Sequence, residues 1–228
     1  MTDNGGNAEN RAKGGVRFMH NLPLRNGKGS IYEGGIRVPM VVYWKGKVAA
    51  GTRINTPVVA EDLYPTILEM AEVADYQTVQ PVDGKSIVRL LTKGSKAVRR
   101  AMDNGTIANQ KQANAFQIPE SVSGIDPERE VLVHFPHQWK PYQLHDIDYM
   151  SALRKGDWKI VYRHREQTLE LYNIAQDISE RHNLAASHPE KLREMADALT
   201  AKFESYDALL PTFRATGQTI PMPNQLIK

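Results

Sequence analysis

Two short stretches carry residue types suited to chemistry. The first is Asp3-Asn4-Gly5-Gly6. An aspartate carboxylate and an asparagine amide oxygen are both hard donors, suited to Ca2+ or Mg2+. Neighbouring strand residues point to opposite faces, so both reach one ion only where a strand breaks into a turn. Gly5-Gly6 supplies such a break. The same four residues are also a common turn that needs no ligand. The second stretch is Gly27-Lys28-Gly29-Ser30. It is not a P-loop, because position 22 is Leu and position 29 is Gly where a glycine and a Ser/Thr are required. It is not a dinucleotide fingerprint either, because Tyr32 stands at the third glycine position. What remains is a lysine between two glycines, a geometry that brings the backbone close to a ligand and aims one ammonium at an anion. An exposed loop lysine is the plainer alternative.

The elements around these stretches change character along the chain. Residues 1–37 are rich in Gly, Asn and Arg and read as one long loop, a length seldom kept in compact domains without a function. VPMVVYW (38–44) reads as a buried strand. EDLYPTILEMAEVA (61–74) reads as a helix with Asp62 as N-cap, Pro65 in the first turn, and Leu63, Ile67, Met70 and Ala71 on one face. Strand then helix is the α/β pattern. GKSIVRLLTKG (84–94) predicts a short helical turn, and the polar residues 95–128 a long connection. From about residue 126 the reading is a small α+β unit. VLVHF (131–135) is a strand, and residues 149–173 give three more, with turns at RKGD (Lys155-Gly156 central) and HREQ. On the middle strand Trp158, Ile160 and Tyr162 face one way and Lys159, Val161 and Arg163 the other. Residues 187–206 form an amphipathic helix with a Ser187–Glu190 capping box and an apolar stripe of Leu192, Met195, Ala196, Leu199 and Phe203.

Composition narrows the class. Hydrophobic residues are 41% and charged residues 24% of 228, the balance of a globular chain. The net charge of 29 − 26 = +3 is small and scattered, which argues against nucleic acid. There is no cysteine, so disulfides, thiolate metal sites and a cysteine nucleophile are excluded within these residues. No apolar run reaches the ~18 residues of a membrane helix. The first residues lack the charged-then-apolar pattern of a signal peptide.

TDNGG, PLRNGKGSIYEGGIRVPMVVYWKG, EDLYPTILEMA, GKSI, VLVHFPH, ALRKGDWKIVY, ELYNIAQDISERHNLA and HPEKL resemble, in that order, the later part of the type I sulfatases. The resemblance implies a fold: the end of an α/β catalytic domain of the alkaline-phosphatase-like superfamily (residues 1–125), followed by an α+β subdomain with an antiparallel sheet and a terminal helix (126–228). It also implies roles. Asp3 and Asn4 match the pair that ligates the active-site cation, usually Ca2+. Lys28 matches the catalytic lysine that contacts the sulfate. Glu33, Gly34, Gly35 and Arg37 match positions that shape the loop. His20 is a candidate for facing the substrate. His134 and His137 are candidates for the pocket border, with loop or core histidines the plainer reading.

The chemistry explains these residue types. A divalent cation polarises the sulfuryl oxygens of a sulfate ester, and a fixed lysine adds a second positive contact in the transition state. The sulfatase nucleophile is a formylglycine made from Cys or Ser in a C/S-x-P-x-R motif. Here the chain departs from the family. The nearest match is SHPEK (187–191), with Lys191 in place of Arg, and the capping box explains it without catalysis. The paired aspartates that complete the metal site have no counterpart.

The expectation is therefore a fragment of a sulfuric ester hydrolase, inactive alone, whose substrates are sulfated sugars and whose partner is the missing N-terminal part. The parent would be periplasmic, secreted or lysosomal. Nucleic acid and membrane are not expected partners. Truncation predicts exposed strand edges and apolar patches, with either better order in 126–228 than in 1–125 or rescue of 1–125 by self-association. Two alternatives remain open: a non-catalytic module binding sulfated glycans or a partner through Arg11, Lys13, Arg17, Arg25 and Lys28, and a fragment of a related phosphate-ester hydrolase.

Overall fold

The computed structural model describes residues 1–6, 21–138 and 147–227. In chain order the elements are α1 (Glu33–Ile36), α2 (Leu63–Met70), α3 (Ser95–Asp103), α4 (Gln110–Ala115), α5 (Glu120–Ser123), β1 (Glu130–Gln138), β2 (Asp148–Lys155), β3 (Trp158–Arg163), β4 (Thr168–Asn173) and α6 (Pro189–Ser205). They pack as two compact units, Met1–Met40 with Glu130–Lys228, and Val41–Arg129.

The first unit is built on one antiparallel sheet in the order β1-β2-β3-β4. Each strand pairs with its neighbour in sequence, as their β-branched and aromatic residues favour. The β2–β3 turn is Gly156-Asp157, one residue later than the sequence suggests, because Lys155 already pairs with Trp158. Gly156 takes φ 55 there, a conformation glycine adopts without cost. The β1–β2 register shifts between Phe135 and Gln138, where Pro136 has no N–H to give the ladder.

Both faces of this sheet are covered. On one face Leu153, Ile160, Tyr162 and Leu171 pack with Met195, Ala196, Leu199 and Phe203 of α6. On the other, Met150, Ala152, Val161 and Tyr172 pack with Ile31 and Tyr32. The stripe of α6 is thus as the sequence predicts, but its start is not. His188 takes the N-cap position and Pro189 the first turn, with no side-chain cap. Ser187 Oγ instead donates to Leu184 O at 3.2 Å. The proline sets the helix start one residue too late for a Ser187–Glu190 box.

The second unit differs more from its sequence reading. Residues 38–44 form no strand; Val41 and Tyr43 are 87% and 84% exposed. A buried strand needs a neighbour for its N–H and C=O groups, and the described sheet consists of β1–β4 alone. Asp62 is not a side-chain cap of α2. It is fully buried, accepts from Val59 N and Lys85 N at 2.9 Å each, and takes a two-pronged ion pair from Arg129 at 2.9 and 3.1 Å. That anchor turns α2 so that Pro65 and Thr66 are buried. Ile67, expected on the core face, is 61% exposed. Residues 95–103, read as connection, are helical. A π-helical turn, Leu90–Gly94, runs directly into α3, which buries Ser95, Val98 and Ala101. Three apolar or small residues three apart suffice to seat an otherwise basic helix.

Candidate functional site

The two chemistry-bearing stretches meet. Gly5 N donates to Gly35 O at 2.9 Å, and Lys28 N donates to Gly6 O at 2.8 Å. Asn21 clamps the same turn, accepting from Gly6 N at 3.0 Å and donating to Gly6 O at 2.8 Å and Asn26 O at 3.0 Å. Three glycines make this approach possible. A Cβ on Gly5 would overlap Gly34 O, one on Gly34 would overlap Arg25 O and Asn26 O, and one on Gly35 would overlap Ser30 O. The Asp3–Gly6 turn therefore lies directly on the loop that carries Lys28. Asn4 Nδ2 donates to Asp3 Oδ2 at 2.6 Å, so the two proposed metal ligands share one small patch at the surface.

What holds the Lys28 loop is buried charge. α1 is a single turn of four residues, too short to persist without tertiary contacts. Glu33 at its start is 2% exposed, and Lys159 and Glu180 are 1% exposed. Lys159 Nζ hydrogen-bonds Glu33 Oε1 at 3.1 Å and lies 2.8 Å from Glu180 Oε1. Glu180 Oε2 accepts from Glu33 N at 2.6 Å. Arg37 adds an ion pair to Glu33 Oε2 at 3.3 Å. Burial pushes the Glu33 carboxyl up, but Lys159, Arg154 and Arg37 outweigh it and hold Glu33 below the ordinary range. For Glu180 burial prevails over Lys159, and its pKa is raised.

A second network flanks the first. Tyr32 OH donates to Glu170 Oε2 at 2.6 Å, and Tyr172 OH donates to the same oxygen at 2.9 Å. Arg25 donates to Tyr172 OH at 2.9 Å and stacks over the Tyr32 ring at 3.7 Å. Arg25 is thus committed to holding the loop, which removes one charge from the expected basic binding surface. Arg11, Lys13, Arg17 and His20 lie outside the described residues.

His134 and His137 have structural partners. The His134 ring contacts Ser151 Oγ at 2.7 Å and Leu209 O at 3.1 Å; Ser151 Oγ in turn meets His164 Nε2 at 2.8 Å. A carbonyl only accepts, so His134 carries its proton on Nε2 and accepts from the serine at Nδ1. Ser151 then accepts from His164 Nε2–H, leaving His164 Nδ1 a buried acceptor without a hydrogen bond. Burial, with His134 adding to it, pushes the His164 pKa down to about 3. Ser151 is fully buried, so this Ser/His grouping is core and presents no nucleophile. His137 lies against Phe135, ring centroids 4.1 Å apart.

Sequence reasoning missed Glu170 and Glu180, and the buried-charge roles of Lys159 and Asp62. A lysine flanked by Trp158 and Ile160 in mid-strand was the available signal. Its partners are far apart in sequence, so no spacing rule reaches them. Among the described residues no group of three or more His, Cys, Asp or Glu is placed to hold a metal, and no helix is long and apolar enough to cross a membrane.

The family model for N-sulphoglucosamine sulphohydrolase, C-terminal, matches residues 26–149. A sulfatase of Formosa agariphila is 30% identical over 174 residues, 75% of this chain and 26% of the relative. The solved structure of Ps i-CgsB in complex with k-i-k-neocarrahexaose superposes with a TM-score of 0.58 at 27% identity, covering 92% of this chain and 36% of that one. A second protein, solved in complex with its substrate D-glucosamine-2-N,6-O-disulfate, superposes with a TM-score of 0.53 at 17% identity, over 77% of this chain and 30% of that one. The chain therefore spans about a quarter to a third of the length of these three proteins.

Proposed function

The chain belongs to the sulfatase family as a portion of its C-terminal part, and from that premise we propose that it supplies part of a sulfate-ester hydrolysis site. Residues 1–125 would complete the catalytic domain and 126–228 would be its C-terminal subdomain. Lys28 would contact the sulfate. Asp3 and Asn4 would hold the divalent cation, with Ca2+ preferred. Two oxygen donors fit such an ion chemically but fall short of the about six to eight oxygens that Ca2+ takes, so the remaining ligands must come from elsewhere. When bound, the cation polarises the sulfuryl oxygens. The part of this chain is to place the lysine charge beside the metal-ligand turn before reaction, so that little reorganisation is needed as negative charge shifts.

The observation that carries this reading is the backbone pairing of Gly5 with Gly35 and of Gly6 with Lys28. It joins the metal-ligand turn directly to the sulfate lysine, 22 positions away in sequence (28 − 6 = 22). The substrate is proposed to be a sulfated sugar. Support comes from the matched family's description and from the oligosaccharide held by Ps i-CgsB.

No C/S-x-P-x-R motif lies in these 228 residues, so the chain alone is proposed to be catalytically incomplete, with the nucleophile and the remaining ligands supplied from outside it. The pure chain should not turn over 4-nitrophenyl sulfate, yet titration with inorganic sulfate and Ca2+ should shift the amide signals of Asp3, Asn4 and Lys28. Lys28→Ala should abolish the sulfate response. Turnover by the chain alone, or sulfate shifts confined to other residues, would refute the reading.

A further inference from the structure

We infer that Glu33, Lys159 and Glu180 form a buried positioning device for Lys28 and for the Asp3–Gly6 turn. The inference rests on the sulfate-site reading for its purpose but not for its geometry.

Three charged side chains at 1–2% exposure are an expensive way to fasten a loop. Desolvating such ions costs several kcal/mol each, and well-packed apolar residues often stabilise as well or better. Buried ions of this kind therefore argue for registry more than for stability. Glu180 carries a further cost. Its φ is 51, in the left-handed region that disfavours any residue bearing a side chain. That conformation coincides with a carboxylate that reaches both Glu33 N, at 2.6 Å, and Lys159 Nζ, at 2.8 Å.

The device works at two removes from the chemistry. Glu33 is followed by Gly34 and Gly35, and Gly35 O receives Gly5 N. Gly34 N donates back to Arg25 O at 2.8 Å, and Ser30 N to Gly27 O at 2.9 Å. Fixing Glu33 thus fixes the loop on both sides of Lys28 and the seat of the turn that carries Asp3 and Asn4. An apolar contact slides, because it has no preferred direction. A carboxylate gripped by an ammonium from one side, with its own backbone N–H gripped by a second carboxylate, cannot rotate or translate without breaking a charged hydrogen bond. Glu33, Lys159 and Glu180 touch no substrate atom in this account; they act through Gly35 and Lys28.

The test uses the 228-residue chain and two readouts. Lys159→Met leaves two buried carboxylates and is expected to threaten the whole unit, so Glu33→Gln, which keeps shape and most hydrogen bonds, is the informative variant. Amide hydrogen exchange at Gly5, Lys28, Gly34 and Gly35 should accelerate at least tenfold in Glu33→Gln, while Leu153, Val161 and Leu171 in the sheet keep their protection. Sulfate affinity, read at the Lys28 amide, should weaken at least fivefold. Neutralising a nearby carboxylate would by charge alone strengthen anion binding, so the sign separates positioning from electrostatics. Unchanged loop exchange, uniform loss across loop and sheet, or tighter sulfate binding would overturn the inference. Absence of sulfate binding by the unmodified chain would refute the proposed function, while the exchange result would still judge the device.

Discussion

The sheet-bearing unit and the unit of residues 41–129 bury their apolar side chains on different terms. In the first, every strand has a sequence neighbour as its ladder partner, and both sheet faces are covered, by α6 on one side and by Ile31 and Tyr32 on the other. In the second, Ile87, Leu90, Val98 and Ile125 are buried, yet Val41, Tyr43, Ile67 and Val79 stand in the open. Beside its buried apolar residues it buries one charge pair, Asp62 with Arg129, 2.9 Å apart. Periodic burial spreads the stability of the sheet and α6 over many apolar side chains, beside the buried Glu33, Lys159 and Glu180. A unit centred on one buried carboxylate is hostage to it.

Four measurements test that contrast, in order of decreasing effect. Asp62→Ala leaves Arg129 and two backbone N–H groups without their acceptor, and should destabilise residues 41–129 by about 3–5 kcal/mol, seen as lost amide protection there but not in β2–β4. Equal loss in both units would break the contrast. Leu199→Ala, in the fully buried α6 seam, should cost about 3 kcal/mol by urea unfolding followed by circular dichroism at helix wavelengths. The third concerns acid. His164 titrates near 3 folded against 6.5 when unfolded, so below pH 6.5 the unfolded chain binds the proton first. Its contribution is complete above pH 6.5 and is lost on going down towards 3, at a slope of about 1.4 kcal/mol per pH unit. His164→Gln should flatten that slope in denaturant titrations run between pH 7 and 4. The smallest effect belongs to Ile67→Ala, which should change stability by less than about 0.5 kcal/mol. A cost comparable to Leu199→Ala would mean that this exposed face is covered in solution, as the expectation of self-association requires.

Legibility follows the same line. The strands around Trp158–Arg163 and the stripe of α6 could be read because periods of 2 and 3.6 are local properties of sequence. The α2 face could not be read correctly. Its periodicity favours Leu63, Ile67 and Met70, but the burial of Asp62 rotates the helix the other way. The strand expected at 38–44 failed because apolar composition says nothing about whether a ladder partner exists. Asp3, Asn4 and Lys28 were singled out by residue type and family resemblance, and their two stretches do meet. The groups that fasten them lie 126 and 147 positions from Glu33, beyond any local pattern.

That separation has a consequence in time. β1–β4 pair only with their neighbours in sequence, so the sheet can form quickly once its strands are present. The lysine that Glu33 needs is 126 residues downstream. At a synthesis rate of about 5–20 residues per second, Glu33 leaves the ribosome roughly 6–25 s before Lys159 does. The loop bearing Lys28 is therefore made early and locked late, when β3 and the residues up to Glu180 have been translated.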